Sequence, residues 1–476
     1  MKILHTTAEF FPYIKVGGLS DMLASLSKYQ SIENDVHIAI PLIKSLNQKI
    51  EFSGIEYPAL LEEEFYTTDS CLILSKSKFL HSKIDNINLY FFQCELFSNY
   101  EKIYANTDEL YSFAIFSYAC YTLGVLLEVD VVHSHDWHTS LVSVINNTRP
   151  KGKPSVFTIH NLAYQGDHPF WMTGFLKVDP FNLNLNYFNN FDKVNYMKGA
   201  IVYSQEITTV SPSYRNEVLH EPQGCYLSWI LNERADSFTG ILNGIDNKEW
   251  NPEFDQKIFR NYSVDVVSLG KHANKIHLYK EFELVIEPDR PLVGLIGRLT
   301  FQKGFNTFLS SFRDRWDLPF YFFVLGSGEE SLESSFFHEG HHSPNRIFFY
   351  KGFDETLARK IEAASDFFIM PSLFEPCGLN QLYSHAYGSI PIVSRVGGLR
   401  DSVVESENMN EISGFVFEPD DHFSLNYALA RASDLYSRKN DFRKVRSNIM
   451  KLDWSWKNSE SQFKEIYQRA ILKKSK

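Results

Sequence analysis

Glu375 stands in the run Ser372-Leu373-Phe374-Glu375-Pro376-Cys377-Gly378-Leu379. An apolar, strand-like stretch (366–371) precedes it, and a helical stretch (379–387) closed by Gly388 follows. In a parallel α/β sheet, such a loop lies at the carboxyl end of a strand, where ligands bind. A carboxylate there either accepts hydrogen bonds from a polyhydroxylated ligand or caps the helix behind it, and the local pattern fits both. A second loop, Gly297-Arg298-Leu299-Thr300-Phe301-Gln302-Lys303-Gly304, leaves a predicted strand at 292–296. Its two cations, Arg298 and Lys303, form a clamp for a diphosphate or else a solvated basic loop.

Two Gly-Gly pairs open predicted helices. Lys15-Val16-Gly17-Gly18-Leu19 precedes apolar residues at helical spacing, with Asp21 in the first turn; Val396-Gly397-Gly398-Leu399 repeats the device. Unpaired N–H groups at a helix start attract anions, and Lys15 adds a point charge for phosphate. Glycine used merely to turn the chain gives the same pattern. Polar clusters also follow two further strands. His133-Ser134-His135-Asp136-Trp137-His138 follows 129–132, and His160-Asn161-Leu162-Ala163-Tyr164-Gln165-Gly166 follows 155–159. The imidazoles invite a metal, but no third and fourth ligand completes a set. A sugar site fits better, with Trp137 as a flat apolar face and Asp136 and the histidines for hydroxyls; otherwise Asp136 caps a helix.

These loops need a scaffold. Strands are predicted at 2–6, 36–40, 86–93, 129–132, 155–159, 206–210 and 238–242. The second half repeats the scheme at 292–296, 321–325, 346–350, 366–371 and 390–394. Hairpin strands are expected within 51–83, a buried helix at 111–127 and an amphipathic helix at 454–471. The aromatic, irregular stretch 167–195 reads as loop and short helices over a cleft. Residues 246–265 read as the crossing between domains. At 476 residues, two domains are expected, both doubly wound α/β and facing each other across a cleft.

Composition narrows the partners. A formal net charge of −11 argues against general binding to nucleic acid or to an anionic membrane. Five scattered cysteines without a CxxC pair suggest a reducing compartment. His5 and Glu9 interrupt any leader-like apolar core, and no run is expected to reach membrane-spanning length, so a cytoplasmic location is expected.

Taken in order, seven motifs resemble the bacterial glycogen synthases, relatives of plant starch synthases with the two-domain GT-B glycosyltransferase fold. They are Lys15-Val16-Gly17-Gly18-Leu19, His135-Asp136-Trp137-His138, His160 to Gly166, Leu242-Asn243-Gly244-Ile245-Asp246, Gly297 to Gly304, Phe374-Glu375-Pro376-Cys377-Gly378-Leu379 and Gly397-Gly398-Leu399. The resemblance runs essentially the whole length. It implies retaining transfer of glucose from ADP-glucose, or UDP-glucose, to the non-reducing-end 4-hydroxyl of an α-1,4-glucan such as glycogen, with no cofactor and no metal. Arg298 and Lys303 would hold the diphosphate, Glu375 the hydroxyls of donor glucose, and His160 would lie beside the transferred sugar. Lys15, Gly17, Gly18 and Asp21 would serve the substrate from the first domain, with Asp136 and Asn161 on the acceptor side and Asn243 facing donor glucose. Phe353 would stack on the base, and Cys377, Gly378, Leu379, Gly397, Gly398 and Leu399 would line the donor. The domains would be 1–245, completed by about 456–476, and 246–455.

The chain departs from the family pattern in Glu221-Pro222-Gln223-Gly224-Cys225-Tyr226-Leu227, in Val396 where threonine is common, and in Phe353 where tyrosine is frequent. The first departure bears on the acceptor, the last on the base. A glucan phosphorylase would need a Schiff-base lysine. A non-catalytic glucan-binding protein would be expected to lack some of Arg298, Lys303 and Glu375, yet all three are present.

Overall fold

The computed structural model describes residues 1–475 apart from 47–49, 62–67, 105, 170–192 and 316. The chain divides into two compact units: Met1–Gly244 with Trp456–Lys476, and Ile245–Ser455.

The first unit is built on a nine-stranded sheet. Its parallel strands are β1 (Lys2–Thr6), β2 (Asp35–Pro41), β5 (Ile87–Gln93), β6 (Val131–His135), β7 (Ser155–Ile159), β10 (Glu206–Thr209) and β11 (Phe238–Gly240), while β3 (Glu56–Pro58) and β4 (Lys78–Ile84) run antiparallel at one edge. The order is β11-β10-β7-β6-β1-β2-β5-β4-β3. The edge meander is the expected hairpin, with an additional helix, Asp69–Lys76, ahead of β4. A small separate pair, β8 (Asp167–Pro169) with β9 (Lys193–Asn195), brackets the stretch expected over the cleft, which lies mostly outside the described residues.

The second unit is a six-stranded, all-parallel sheet in the order β14-β13-β12-β15-β16-β17. The strands are β12 (Leu292–Ile296), β13 (Tyr321–Gly326), β14 (Ile347–Lys351), β15 (Phe367–Met370), β16 (Ile390–Ser394) and β17 (Phe415–Phe417). Strands β13, β15 and β16 are almost wholly apolar and buried, as in a parallel sheet covered on both faces. Each fully buried Phe, Leu, Ile or Val contributes roughly 1.5–3 kcal/mol. The strand order reverses between β12 and β15 here, and between β1 and β6 in the first unit. These are topological switch points, where loops splay apart and ligands enter.

Three sequence expectations change. Residues 246–265 are not a free crossing, because they pack onto the second unit. Trp250 stacks on Tyr383 at 3.5 Å, Arg359 holds the Glu249 carbonyl at 2.7 Å, and Tyr262 Oη donates to the Tyr387 carbonyl. Strand β6 runs on through His135, so His133 and His135 lie within a strand rather than in the loop after it. The buried helix, Glu109–Leu126, is long and apolar enough to span a membrane, contrary to expectation, but most of it is buried inside the first unit as a core helix. The terminal helix, Lys457–Lys474, lays Phe463, Ile466, Tyr467 and Ala470 against Ile3, Leu26 and Val131 of the first unit. Trp456 anchors it with Nε1 donating to Ser25 Oγ at 2.6 Å.

Candidate active site

In the second unit, the loops after β12 and β15 are zipped together. Leu373 N–H donates to the Gln302 carbonyl at 2.8 Å, and Gln302 Nε2 donates to the Phe374 carbonyl at 3.2 Å. Gly304 makes this approach possible. It sits at φ +64°, and a Cβ there would fall 1.8 Å from the Pro371 carbonyl oxygen. The zipper delivers Lys303 to Glu375. Lys303 Nζ lies 2.6 Å from Glu375 Oε2, which also accepts from Ser372 Oγ at 2.9 Å. Glu375 is 6% exposed, so this carboxylate is held by charge and hydrogen bond together.

The capping alternative for Glu375 does not hold. The following helix is Asn380–Tyr387, and its N-cap, Leu379, provides no side-chain bond. The Gly397-Gly398 pair, too, is used differently from the expectation. Gly398 N–H donates to the carbonyls of Glu375 (3.1 Å) and Pro376 (3.2 Å) rather than pointing out unpaired. Gly397 is at φ +38°, and a Cβ would meet the Glu375 carbonyl oxygen at 2.0 Å. The glycine pair therefore clamps the Glu375 loop by close backbone approach. Cys377 and Leu399 are buried beneath it, and Gly378 turns the chain at φ +73°. Arg298 is exposed on the β12 loop, and Phe353, 73% exposed, stands on the loop after β14. A ring that open is available to stack on a planar ligand.

In the first unit, Lys15 and Asp21 pair with each other at 2.9 Å, and Lys15 Nζ lies 5.0 Å from the Phe11 ring centre. The amides of Val16 and Gly17 are occupied. Both donate to Glu9 Oε2 at 2.8 Å, and Tyr104 Oη donates to Glu9 Oε1 at 2.6 Å. Gly18 begins the helix Gly18–Gln30. Sequence reading gave Glu9 no part in the site. Its signal, an acidic residue between buried apolar neighbours just past β1, is faint.

Asp136 is not a helix cap, since the N-cap of the short helix Asp136–Thr139 is His135. At φ +56° it turns its Oδ1 toward the β7 loop, accepting from the N–H of His160 (2.8 Å) and of Asn161 (3.3 Å). Trp137 is not a sugar platform. It is 7% exposed and packs against His138 and Phe113, and a Cβ on Gly166 would strike it at 2.6 Å. His160 is partly exposed and bonded through Nε2 to His135 Nδ1 at 3.0 Å. Asn161 Oδ1 accepts from Ala163 N–H, and Asn243 is buried near the end of the first unit. The departing stretch is tied to the same loop, since Gln165 Nε2 donates to the Cys225 carbonyl at 2.9 Å, leaving Tyr226 76% exposed.

His5, His133 and His135 bring ring nitrogens within 4.8 Å of one another, a geometry that invites a metal. All six of their nitrogens, however, are already in hydrogen bonds to Gln30, Tyr467, Thr158, His160 and each other. The cluster is satisfied as it stands.

Burial pushes the Asp136 carboxyl up to about 7, against the pull of the two amides it accepts from. A raised carboxyl pKa takes stability away as pH climbs from the ordinary value near 4 to about 7, and the full cost remains above that. Asparagine keeps the accepting oxygen without the charge. Asp136→Asn is therefore expected to melt above wild type at pH 8 and to converge with it near pH 4, read as Tm against pH. A wild type more stable at pH 8 would contradict this account.

Comparison with known proteins places this architecture. Residues 2–233 match the starch synthase catalytic domain family, and residues 279–447 match group 1 of the glycosyl transferases. The chain is 53% identical over 474 residues to a glycogen synthase of Leptospira biflexa, covering 99% of each. It is 36% identical over 487 residues to that of Thermosipho melanesiensis, covering 100% of each. Among solved structures it is similar to the catalytic domain of starch synthase IV from Arabidopsis thaliana bound to ADP and acarbose, with TM-score 0.90 and 32% identity over 99% of both chains. A sucrose-phosphate synthase from Thermosynechococcus elongatus, at TM-score 0.63 and 14% identity over 99% of both chains, shares the fold. Two parallel-sheet α/β units, the matched families and full-length relatives agree: the chain belongs to the glycogen and starch synthase family of GT-B glycosyltransferases.

Proposed function

We propose that the protein is a glycogen synthase. It transfers glucose from a nucleotide-glucose donor to the non-reducing-end 4-hydroxyl of an α-1,4-glucan, with retention at the anomeric carbon. The observation that carries this is the Lys303–Glu375 pair, with exposed Arg298 on the same loop as Lys303, at the switch point of the second unit. The acceptor oxygen bonds to C1 as the C1–O bond to the diphosphate breaks, and the acceptor proton passes to the departing phosphate oxygen. Negative charge grows on that diphosphate as the sugar becomes cationic. Arg298 and Lys303 meet that charge, and so favour the transition state over the ground state. Glu375 accepts from donor-glucose hydroxyls and holds Lys303 in place. Phe353 stacks on the base. His160 lies beside the transferred sugar, with Asn161 toward the acceptor.

ADP-glucose is the donor this reading favours, supported by likeness to a starch synthase solved with ADP. The test is incorporation of labelled glucose into glycogen from ADP-glucose and UDP-glucose in parallel, with the product digested by an exo-acting α-1,4-glucosidase. The expected result is α-1,4-linked label, predominantly from ADP-glucose. Preference for UDP-glucose would overturn the donor assignment, and no transfer from either donor would overturn the function.

A further inference from the structure

A row of side chains runs through the core of the first unit from the terminal helix to His160. Gln30 Nε2 donates to Tyr467 Oη at 3.1 Å, and Gln30 Oε1 lies 2.9 Å from His5 Nε2. His5 Nδ1 lies 3.0 Å from His135 Nε2, and His135 Nδ1 lies 3.0 Å from His160 Nε2. The row is assembled by register. His5 on β1 sits beside His133 on β6, and His133 and His135 share one face of that strand. Tyr467 Oη also contacts His133 Nδ1 at 2.9 Å, and His133 Nε2 contacts Thr158 Oγ1 at 2.6 Å.

Hydrogen-bond arithmetic then leaves little freedom. Burial holds His5 down to about 4 and His160 to about 3, and His135 well below its ordinary value. Each ring is therefore neutral, with one N–H and one lone pair. A carbonyl oxygen only accepts, so His5 carries its proton on Nε2. Its Nδ1 then accepts from His135 Nε2–H, and His135 Nδ1 accepts from His160 Nε2–H. If the Gln30 amide were turned over, every donor in the row would reverse. The direction of the row thus follows the orientation of the Gln30 amide, which directs Nε2 to Tyr467 Oη and Oε1 to His5.

We propose that Gln30, His5 and His135 are positioning residues that fix the tautomer of His160, with Nε2–H directed inward and Nδ1 left as an unprotonated acceptor for a substrate hydroxyl. Tyr467, on the terminal helix, holds the amide that sets this direction. The inference rests on the proposed placement of His160 beside the transferred sugar, but only for its catalytic consequence. A row of neutral imidazoles transmits a choice of tautomer without moving a charge, so the effect reaches His160 from Tyr467 through the intervening side chains.

The test is nitrogen NMR of the full-length protein labelled on the histidine rings, with His160 assigned by its loss in His160→Gln. Wild type is expected to show His160 as the Nε2–H tautomer, and Nδ1–H there would overturn the proposal. Gln30→Leu removes the acceptor, and Tyr467→Phe removes a single hydroxyl and leaves the packing intact. Both are expected to populate the second tautomer of His160 and to lower kcat, by about 10-fold or more for Gln30→Leu, with KM for the donor within about 2-fold. Unchanged tautomer populations in both variants would overturn the proposal whatever the activity. An enzyme without glucosyl transfer but with the expected tautomer shift would instead reject only the functional reading.

Discussion

Lys303→Ala is expected to lower kcat by about 10²–10³-fold with little change in glycogen binding, and Glu375→Ala to do at least as much. Lys303 belongs to the β12 loop and Glu375 to the β15 loop, and their ion pair at 2.6 Å is the contact that orients both. Without Lys303, the transition state loses a cation placed where diphosphate charge grows. Glu375, 6% exposed, keeps the bond from Ser372 Oγ but loses its cation. A carboxylate stranded in that setting also destabilises its loop, because an uncompensated buried charge is costly. The two effects separate in the double variant. Lys303→Met with Glu375→Gln restores a neutral, hydrogen-bonding loop, so its Tm is expected to recover toward wild type while activity stays lost. Initial rates with labelled donor and thermal melts of the same preparations check both points. A Lys303→Ala enzyme that keeps more than about a tenth of wild-type kcat would remove Lys303 from the mechanism.

The largest stability effect is expected at Asp366, at the start of β15. Its carboxylate is buried, pairs with Lys275, lies 2.6 Å from Arg446 and accepts the Leu292 N–H at 3.0 Å. Burial opposes its charge, but the two cations outweigh burial and hold the carboxyl well below its ordinary range. Lys275 and Arg446 are themselves only 4% and 5% exposed at their side chains. Asp366→Ala leaves two buried cations without their shared anion and is expected to cost roughly 3–5 kcal/mol. Because the folded pKa is depressed, the stabilisation from Asp366 is complete above pH 4 or so and is lost as pH falls below it. Urea unfolding followed by tryptophan fluorescence, run at pH 7 for wild type, Asp366→Asn and Asp366→Ala, measures this. Asp366→Asn is expected to fall between the other two. A loss under about 1 kcal/mol in Asp366→Ala would mean the cluster is not buried as described.

The residues most legible in sequence were those whose environment is set locally. Apolar runs with β-branched and aromatic side chains located β7, β12 and β16 at their observed bounds, because strands buried on both faces need no partner to announce themselves. Gly388 marked a helix end by its left-handed backbone, a property of one residue. Polar positions inside strands misled, since His133 and His135 read as the start of a loop. They are tolerated in β6 only because Tyr467, Thr158, His5 and His160 arrive to bond them.

The sequence by itself therefore determined the doubly wound class, the strand-end loops carrying Arg298, Lys303, Glu375 and His160, and the chemistry those side chains are suited to. Tertiary structure decided what each polar group faces. It gave the amides of Gly17 to Glu9 and of Gly398 to Glu375, and turned Trp137 into the core. It also bound Asp136 to the β7 loop and set Lys303 against a carboxylate 72 positions away. Local pattern fixes which backbone conformation is cheapest. A hydrogen bond or ion pair has no sequence signature when its partners come from different strands, because only closure of the sheet brings them within reach.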